Sequence, residues 1–471
     1  MKFKNNIVIG LEIHVELNTK SKLFCSCATQ GSELPNTRVC QICLGHPGSK
    51  PVVNKRAIEF AIKLAMALNC KLAKEVVFSR KSYFYPDMSK NYQITQYEEP
   101  IGIDGSIKIM DKIIGITRLH LEEDPASLVH PAGITKSKYV LIDYNRSGNP
   151  LVEVVTKPEL TSAEEAREFM KSLVTMLQYL GIFNPDKNII KADANVSIKE
   201  LNYVRSEVKN ITGFKEIQRA LEYEIQRQKQ LVQENKTMVQ QTRAWDSAKG
   251  ITTMLRTKET EDDYGYIIYP DLVPIDMDKK LIDKLKKDIP ELSNEKYERY
   301  VKKLKISSDD AYVITNELSL TKIFEESINK IKPDLAAKWI RRELTRVLNY
   351  NKIDASNMKI NSKQFIIMLE LLQDKKITDK VAQKIIEQLV VKDIDVKDFV
   401  KKQGLEAVSD IGELEKFCKE AIVENKKAVD DYKLGKEMAI NAIIGGVMRK
   451  TKGKADPKDV KEMIKKLIKI K

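Results

Sequence analysis

Residues Ile7 to Leu17 alternate without a break: Ile-Val-Ile-Gly-Leu-Glu-Ile-His-Val-Glu-Leu. Successive side chains on a strand point to opposite sides. Ile7, Ile9, Leu11, Ile13, Val15 and Leu17 therefore share one face, and Glu12, His14 and Glu16 share the other. The apolar face can pack on a core. The polar face spaces two carboxylates and an imidazole roughly 6–7 Å apart. Taken alone, the pattern reads first as a half-exposed edge strand with a solvated polar face and second as a functional wall, and Glu16 reads as solvated.

Further strands repeat the theme. Ile116 to Asp124 puts Leu119 and Leu121 on one side and Arg118, His120 and Glu122 on the other. Ile190 to Ile198 turns Ile190, Ala192, Ala194, Val196 and Ile198 inward and Lys191, Asp193, Asn195 and Ser197 outward. Tyr139 to Tyr144 and Leu151 to Val155 read as two strands joined by the turn Asn145-Arg146-Ser147-Gly148-Asn149-Pro150. Helices are expected from Lys55 to about Leu68, capped by Asn54, and from Ala163 to about Leu180. The second has a Ser162/Glu165 capping box and a terminating Gly181. A third covers about Lys215 to Gln233. Without a regular βαβ rhythm, the fold class is α+β on a largely antiparallel sheet. If these strands share one sheet, its polar side forms a dense cradle.

Composition changes near Pro290-Glu291-Leu292-Ser293, and beyond it the periodicity is helical throughout. The expected division is a cradle domain over 1–293, a helical domain over 294–405 and a basic helical tail module over 406–471. Net charge is +14, and Glu295 to Lys471 holds 39 Lys/Arg against 29 Asp/Glu, so +10 of it lies there. Polyanion binding and a lysine-rich genome explain this equally well. No apolar run approaches the ~18 residues of a membrane span. The opening Met1-Lys2-Phe3-Lys4 leads straight into an acidic strand rather than a signal core, so a soluble, cytoplasmic chain is expected.

Four of the six cysteines fall together as Cys25-x-Cys27 and Cys40-x-x-Cys43. In a reducing compartment such spacing favours four-coordinate zinc over disulfides, and four protein ligands close the shell, so the site is structural. His14, Glu122 and Glu153, with Glu12, Glu123 and Asp193 near them in pattern, suit Mg²⁺ or Mn²⁺, because oxygen ligands dominate. Solvated strand faces remain the other reading. Arg80 to Asp87, continuing to Lys90 and Tyr92, interleaves basic and aromatic residues. That suits stacked nucleotide bases, or a loop anchored to the core. The end from Gly446 to Lys471 has 10 Lys/Arg and three acids. It reads as an RNA contact through Lys450, Lys452 and Lys454 or as a solvated helix end. No Walker-type phosphate loop, dinucleotide fingerprint or nucleophile elbow is present.

Taken together these segments resemble the B-subunit family of bacterial-type aspartyl/glutamyl-tRNA amidotransferases. The resemblance rests on Ile9-Gly10-Leu11-Glu12-Ile13-His14-Val15-Glu16-Leu17, Tyr83-Phe84-Tyr85-Pro86-Asp87, Arg118-Leu119-His120-Leu121-Glu122-Glu123-Asp124, Pro150-Leu151-Val152-Glu153, Ala192-Asp193-Ala194-Asn195-Val196-Ser197 and Tyr269-Pro270-Asp271-Leu272. It also covers the tail around Gly445-Gly446 and Thr451-Lys452-Gly453-Lys454. The resemblance implies ATP- and Mg²⁺-dependent phosphorylation of the side-chain carboxylate of Glu-tRNA(Gln), Asp-tRNA(Asn) or both. Amidation follows, with ammonia from a glutaminase A subunit, in a heterotrimer with a small C subunit; the non-discriminating synthetase is a further expected partner. By position it implies His14, Glu122 and Glu153 as magnesium ligands, bordered by Glu12 and Asp193. Lys81 falls at a conduit or acceptor-end position, and Glu123 and Arg118 beside the nucleotide. The four cysteines resemble the family's zinc-bearing branch. A zinc-containing RNA-binding adaptor gives the strand-borne His and Glu no role, and a stand-alone metal hydrolase does not need the basic helical region.

Overall fold

The computed structural model describes residues 5–109, 111–133, 137–257, 265–407, 411–451 and 453–469. The chain forms two compact units, Met1–Leu292 and Ser293–Lys471.

The first unit is built on a nine-stranded sheet. Its strands are β1 (Ile7–Glu16), β2 (Lys71–Leu72), β3 (Gly102–Ile109), β4 (Lys112–Glu123), β5 (Pro150–Thr156), β6 (Ile190–Ile198), β7 (Ser206–Thr212), β8 (Gln241–Asp246) and β9 (Ile251–Thr257). They lie in the order β9-β8-β7-β6-β1-β5-β4-β3-β2. Every pairing is antiparallel except β7 with β8. The first strand of the sequence is thus central, with both edges hydrogen-bonded. Three helices, α1 (Lys55–Ala67), α2 (Ala163–Tyr179) and α3 (Phe214–Gln233), bury their apolar stripes in one core with the sheet. Ile9, Leu11, Ile13 and Val15 are buried there beside Leu119, Leu121, Val152, Val154, Ala192, Ala194 and Val196. With one face so covered, the alternate residues line the other.

Local signals act as expected. The Asn54 side chain accepts from the Arg56 and Ala57 amides and caps α1. Ser162 accepts from the Glu165 amide to start α2, and Gly181 follows its end at φ +67°. The Glu165 carboxylate reaches back to the Thr161 amide instead of the cap residue itself. One expectation is corrected. The strand Leu141–Asp143 pairs with Ser127–Val129 and not with β5. Both edges of β5 are already taken, by β1 and β4.

In the second unit the helices Ser293–Lys302, Ser308–Thr315, Leu318–Ser327, Ser362–Gln373, Asp379–Val391 and Val396–Lys402 bury residues in one core, including Tyr300, Phe324, Phe365 and Ile385. The helices Ile411–Glu424, Ile440–Lys450 and Pro457–Lys469 bury a smaller one around Cys418, Ile443, Val447 and Ile464. The Thr378 hydroxyl, capping Asp379–Val391, also donates to the Gly453 carbonyl, so the two groups of helices touch there.

Candidate functional site

Register brings chemistry together on the open face. His120 of β4 stands opposite Glu153 of β5, Glu153 opposite His14 of β1, and His14 opposite Lys191 of β6. Four side chains from distant parts of the chain form one row across four strands. A neighbouring row runs Arg118, Val155, Glu12, Asp193.

In the first row the His14 Nε2 lies 3.4 Å from a Glu153 oxygen and 3.6 Å from a Glu122 oxygen. The His120 Nε2 lies 3.5 Å from Glu153 and 3.8 Å from Glu122. Arg118 approaches the other Glu153 oxygen at 3.5 Å. Glu122, Glu153 and His120 are buried. Burial opposes charge on His14, but hydrogen bonding to Glu153 and the fields of Glu153 and Glu122 overcome it and push its pKa up to about 10. Burial would likewise lift Glu153, yet His120, His14 and Arg118 hold it far below the usual carboxylate range. Two buried carboxylates gathered around imidazole nitrogens form a site demanding positive charge.

His14, Glu122 and Glu153 each offer an atom, and these lie within 4.8 Å of one another. One nitrogen and two carboxylate oxygens on one side of a point fit a small divalent cation and leave further positions for phosphate oxygens and water. A second group, Glu12, Asp193 and Glu207, is equally close. There Lys209 already supplies charge, 2.8 Å from Asp193 and 3.3 Å from Glu207. The Asn210 amide donates to Asp193, and the Thr242 hydroxyl to Glu207. Burial and the Glu153 charge raise the Glu12 pKa.

Two polar residues of these strands take other roles. Glu16 does not face solvent. It is buried, accepts from the Asn149 side chain and the Ile189 amide, and locks the end of β1. Glu123 follows the alternation to the opposite side from Glu122. Both its oxygens are held by Lys90, at 2.5 and 2.6 Å, and it accepts from the Ile94 amide. That buried pairing leaves it bracing the strand from the side opposite Arg118 and His120.

The four cysteine sulfurs also converge within 4.8 Å, with Cys40 and Cys43 4.0 Å apart. A tetrahedral ion with bonds of ~2.3 Å spaces its sulfurs about 3.8 Å apart, so the donor set fits zinc. The Cys25 thiol, the Cys40 amide and the Lys22 ammonium together pull Cys43 down to about 5, against its burial. His46 belongs to the turn that follows, its amide bonded to the Gln41 carbonyl.

Lys81 lies on a separate three-stranded sheet, between Gln93 and Tyr266. Beside it Arg80 is sandwiched, 4.5 Å from the Tyr92 ring and 4.2 Å from Tyr269. Those aromatics serve internal packing, whereas Phe84 and Tyr85 are exposed. In the tail, Lys450 is engaged by Glu420 at 2.9 Å and Glu424 at 2.6 Å. Lys454 is half-buried, and Lys452 lies outside the described residues.

Sequence reasoning named neither His120 as part of the cluster nor Glu207 and Lys209. The signal was present in both cases. His120 shares its face with Glu122, and Ser206–Thr212 alternates Glu207 and Lys209 against Val208.

Residues 7–283 match the family model described as GatB/GatE catalytic domain, and residues 322–468 match that of the GatB domain. The B-subunit of the aspartyl/glutamyl-tRNA(Asn/Gln) amidotransferase of Carboxydothermus hydrogenoformans is 40% identical over 97% of this chain and 98% of its own. The corresponding protein of Thermotoga maritima is 41% identical over 98% of both chains. That of Thermodesulfovibrio yellowstonii is 40% identical over 98% of this chain and 99% of its own.

Proposed function

Because this chain belongs to the GatB/GatE catalytic-domain family, we propose that its open sheet face performs the activation step of a glutamine-dependent tRNA amidotransferase. The substrate is the side-chain carboxylate of Glu-tRNA(Gln), Asp-tRNA(Asn) or both. The observation that carries the reading is the row His120, Glu153, His14 with Glu122 beside it.

A carboxylate is a poor electrophile for ammonia. One of its oxygens attacks the terminal phosphorus of ATP and ADP leaves, giving an acyl phosphate. Ammonia nitrogen then attacks the acyl carbon, phosphate departs with the C–O bond electrons, the nitrogen gives up a proton to the released phosphate or solvent, and an amide remains. His14, Glu122 and Glu153 would hold magnesium or manganese, which when bound offsets negative charge on the transferring phosphoryl group. His120 and Arg118 restrain the Glu153 oxygens. Glu12 and Asp193, fixed by Asn195 and Lys209, border the site on the β6 side. Lys81 is proposed for the ammonia route or acceptor end, and Arg118 as a neighbour of the nucleotide. Cys25, Cys27, Cys40 and Cys43 hold structural zinc. The A subunit supplies ammonia from glutamine, and the C subunit completes a heterotrimer.

The 1–293, 294–405 and 406–471 division gives these parts separate tasks, with the last two holding the tRNA body. Lys450, Lys452 and Lys454 are proposed for phosphate contact, Lys450 only by giving up Glu420 and Glu424. Reconstitution with A and C subunits, mischarged tRNA, glutamine and ATP tests the whole: Gln-tRNA or Asn-tRNA should form. Absence of product with active partners would refute it.

A further inference from the structure

Lys22 is fully buried. Its ammonium donates to Cys43 Sγ at 3.7 Å and to the Tyr144 carbonyl at 3.2 Å. Among the described residues no carboxylate lies within ion-pair distance of it. A lysine is almost never fully buried unless paired, because an ammonium removed from water without a counter-charge is costly. The anionic group within its reach is the cysteine cluster. Four thiolates around one zinc ion carry a net charge of −2, so the lysine and the centre each supply what the other lacks.

A second observation places the same lysine between the cluster and the carboxylate strands. Gly148, at φ +84°, sits where three groups converge. A Cβ there would lie 3.6 Å from Lys22 Cδ, 3.7 Å from Cys43 Cβ and 3.9 Å from a Glu123 oxygen. The Gly148 amide donates to the Asp124 carbonyl, and its own carbonyl accepts from the Leu23 amide. On the other side of Cys43, the Ser89 hydroxyl donates to the Cys43 carbonyl. The next residue, Lys90, grips Glu123. Cys43 is thus joined by two short routes to the end of β4, one residue from Glu122.

We propose that Lys22 is the counter-charge of the tetrathiolate centre and the positioning residue through which that centre holds the Glu122-bearing end of β4 in place. Its fixed charge retains the metal. Its bond to the Tyr144 carbonyl passes the rigidity of the metal centre to the turn bearing Gly148, whose amide bond to the Asp124 carbonyl carries it to the strand end. Conserving the charge should therefore matter more than conserving the shape of the side chain.

This inference rests on the zinc reading of the four cysteines, and the test separates the two. Zinc content of the wild-type heterotrimer is measured first by elemental analysis; none present sinks the zinc reading and this inference with it. With zinc present, its release to a chromophoric chelator is timed for wild type, Lys22→Met and Lys22→Arg. Mn²⁺ binding to each is followed by electron paramagnetic resonance. Lys22→Met should lose zinc roughly tenfold faster or more and bind Mn²⁺ several-fold more weakly, in the range of outer-shell effects on metal sites. Lys22→Arg should recover most of the zinc retention. Release from Lys22→Met at the wild-type rate overturns the proposal while leaving the zinc reading intact. Should Lys22→Met not fold, wild type stripped of zinc decides the coupling: unchanged Mn²⁺ affinity overturns it, and a several-fold loss supports it.

Discussion

Glu153 stands directly opposite His14 in the pairing of β5 with β1, and its carboxylate lies 3.4 Å from the imidazole. Without Glu153, His14 keeps only Glu122 as a carboxylate partner, and the row loses one of its two buried negative charges. Glu153→Gln keeps the shape and removes the charge. It should abolish measurable Mn²⁺ binding at the row and lower tRNA-dependent ATP cleavage by roughly 10²-fold or more, as expected when a metal ligand is lost. Glutaminase activity of the partner should persist. Normal ATP turnover in the variant would remove Glu153 from the site.

Cys40→Ser takes one sulfur from the cluster whose members converge within 4.8 Å. Metal binding contributes directly to folding in loop-rich segments. The variant should retain no zinc by elemental analysis. The first unit should lose about 2–3 kcal/mol, which at this size is a fall in Tm of roughly 3–5 °C. Unchanged metal content would count against the centre.

A different buried charge predicts a pH signature. Glu224 of α3 is fully buried, 2.6 Å from Arg227 and 3.4 Å from Arg243, and it accepts from the Thr252 hydroxyl. Burial alone would lift its pKa, but Arg227, Ser206 and Thr252 hold it below 4.5. A group depressed in the folded state stabilises fully above its unfolded pKa, and that stability drains away as pH falls through the folded value. Glu224→Gln should cost about 3 kcal/mol near neutral pH. The gap to wild type should narrow as urea denaturation is repeated below about pH 4.5. A gap constant down to pH 3 would contradict the ionised state.

Tail lysines should divide by their partners. Lys461 and Lys465 are exposed on Pro457–Lys469. Replacing both by Ala should weaken tRNA binding and reduce the slope of log K against log salt by about 1–2. Lys450→Ala should reduce the slope by less than that, since Lys450 reaches phosphate only by giving up Glu420 and Glu424. Equal effects from both variants would show that the ion pairs open on binding.

Much of the cradle was readable because alternation is strict where one strand face is buried. The interval Ile190–Ile198 and the faces of β1 and β4 follow from period two alone. What alternation does not encode is depth. Glu16 shares a face with His14, but the turn carrying Asn149 folds over it, and that turn comes from far along the chain. Partner choice was equally hidden. Leu141–Asp143 and β5 are adjacent in sequence and read as a hairpin, yet both edges of β5 were needed by β1 and β4. At β7 the alternation of Glu207 and Lys209 about Val208 is short, ending at Asn210 with φ +63°, and the register irregularity between Ala192 and Ala194 of β6 that brings them beside Asp193 is not a feature of β7's own residues.

The row from His120 to Lys191 has a consequence for how the polypeptide matures. Its members come from β4, β5, β1 and β6, so the first of the sheet's nine strands to be synthesised waits in the middle of the sheet for neighbours made much later. Closing such distant pairings is slow, because chain entropy is lost before contacts repay it. Until β6 arrives, β1 has an open edge of the kind that invites pairing with another chain. Competence of the row and protection from aggregation are therefore reached together, after α2 has been synthesised and its following strand has docked.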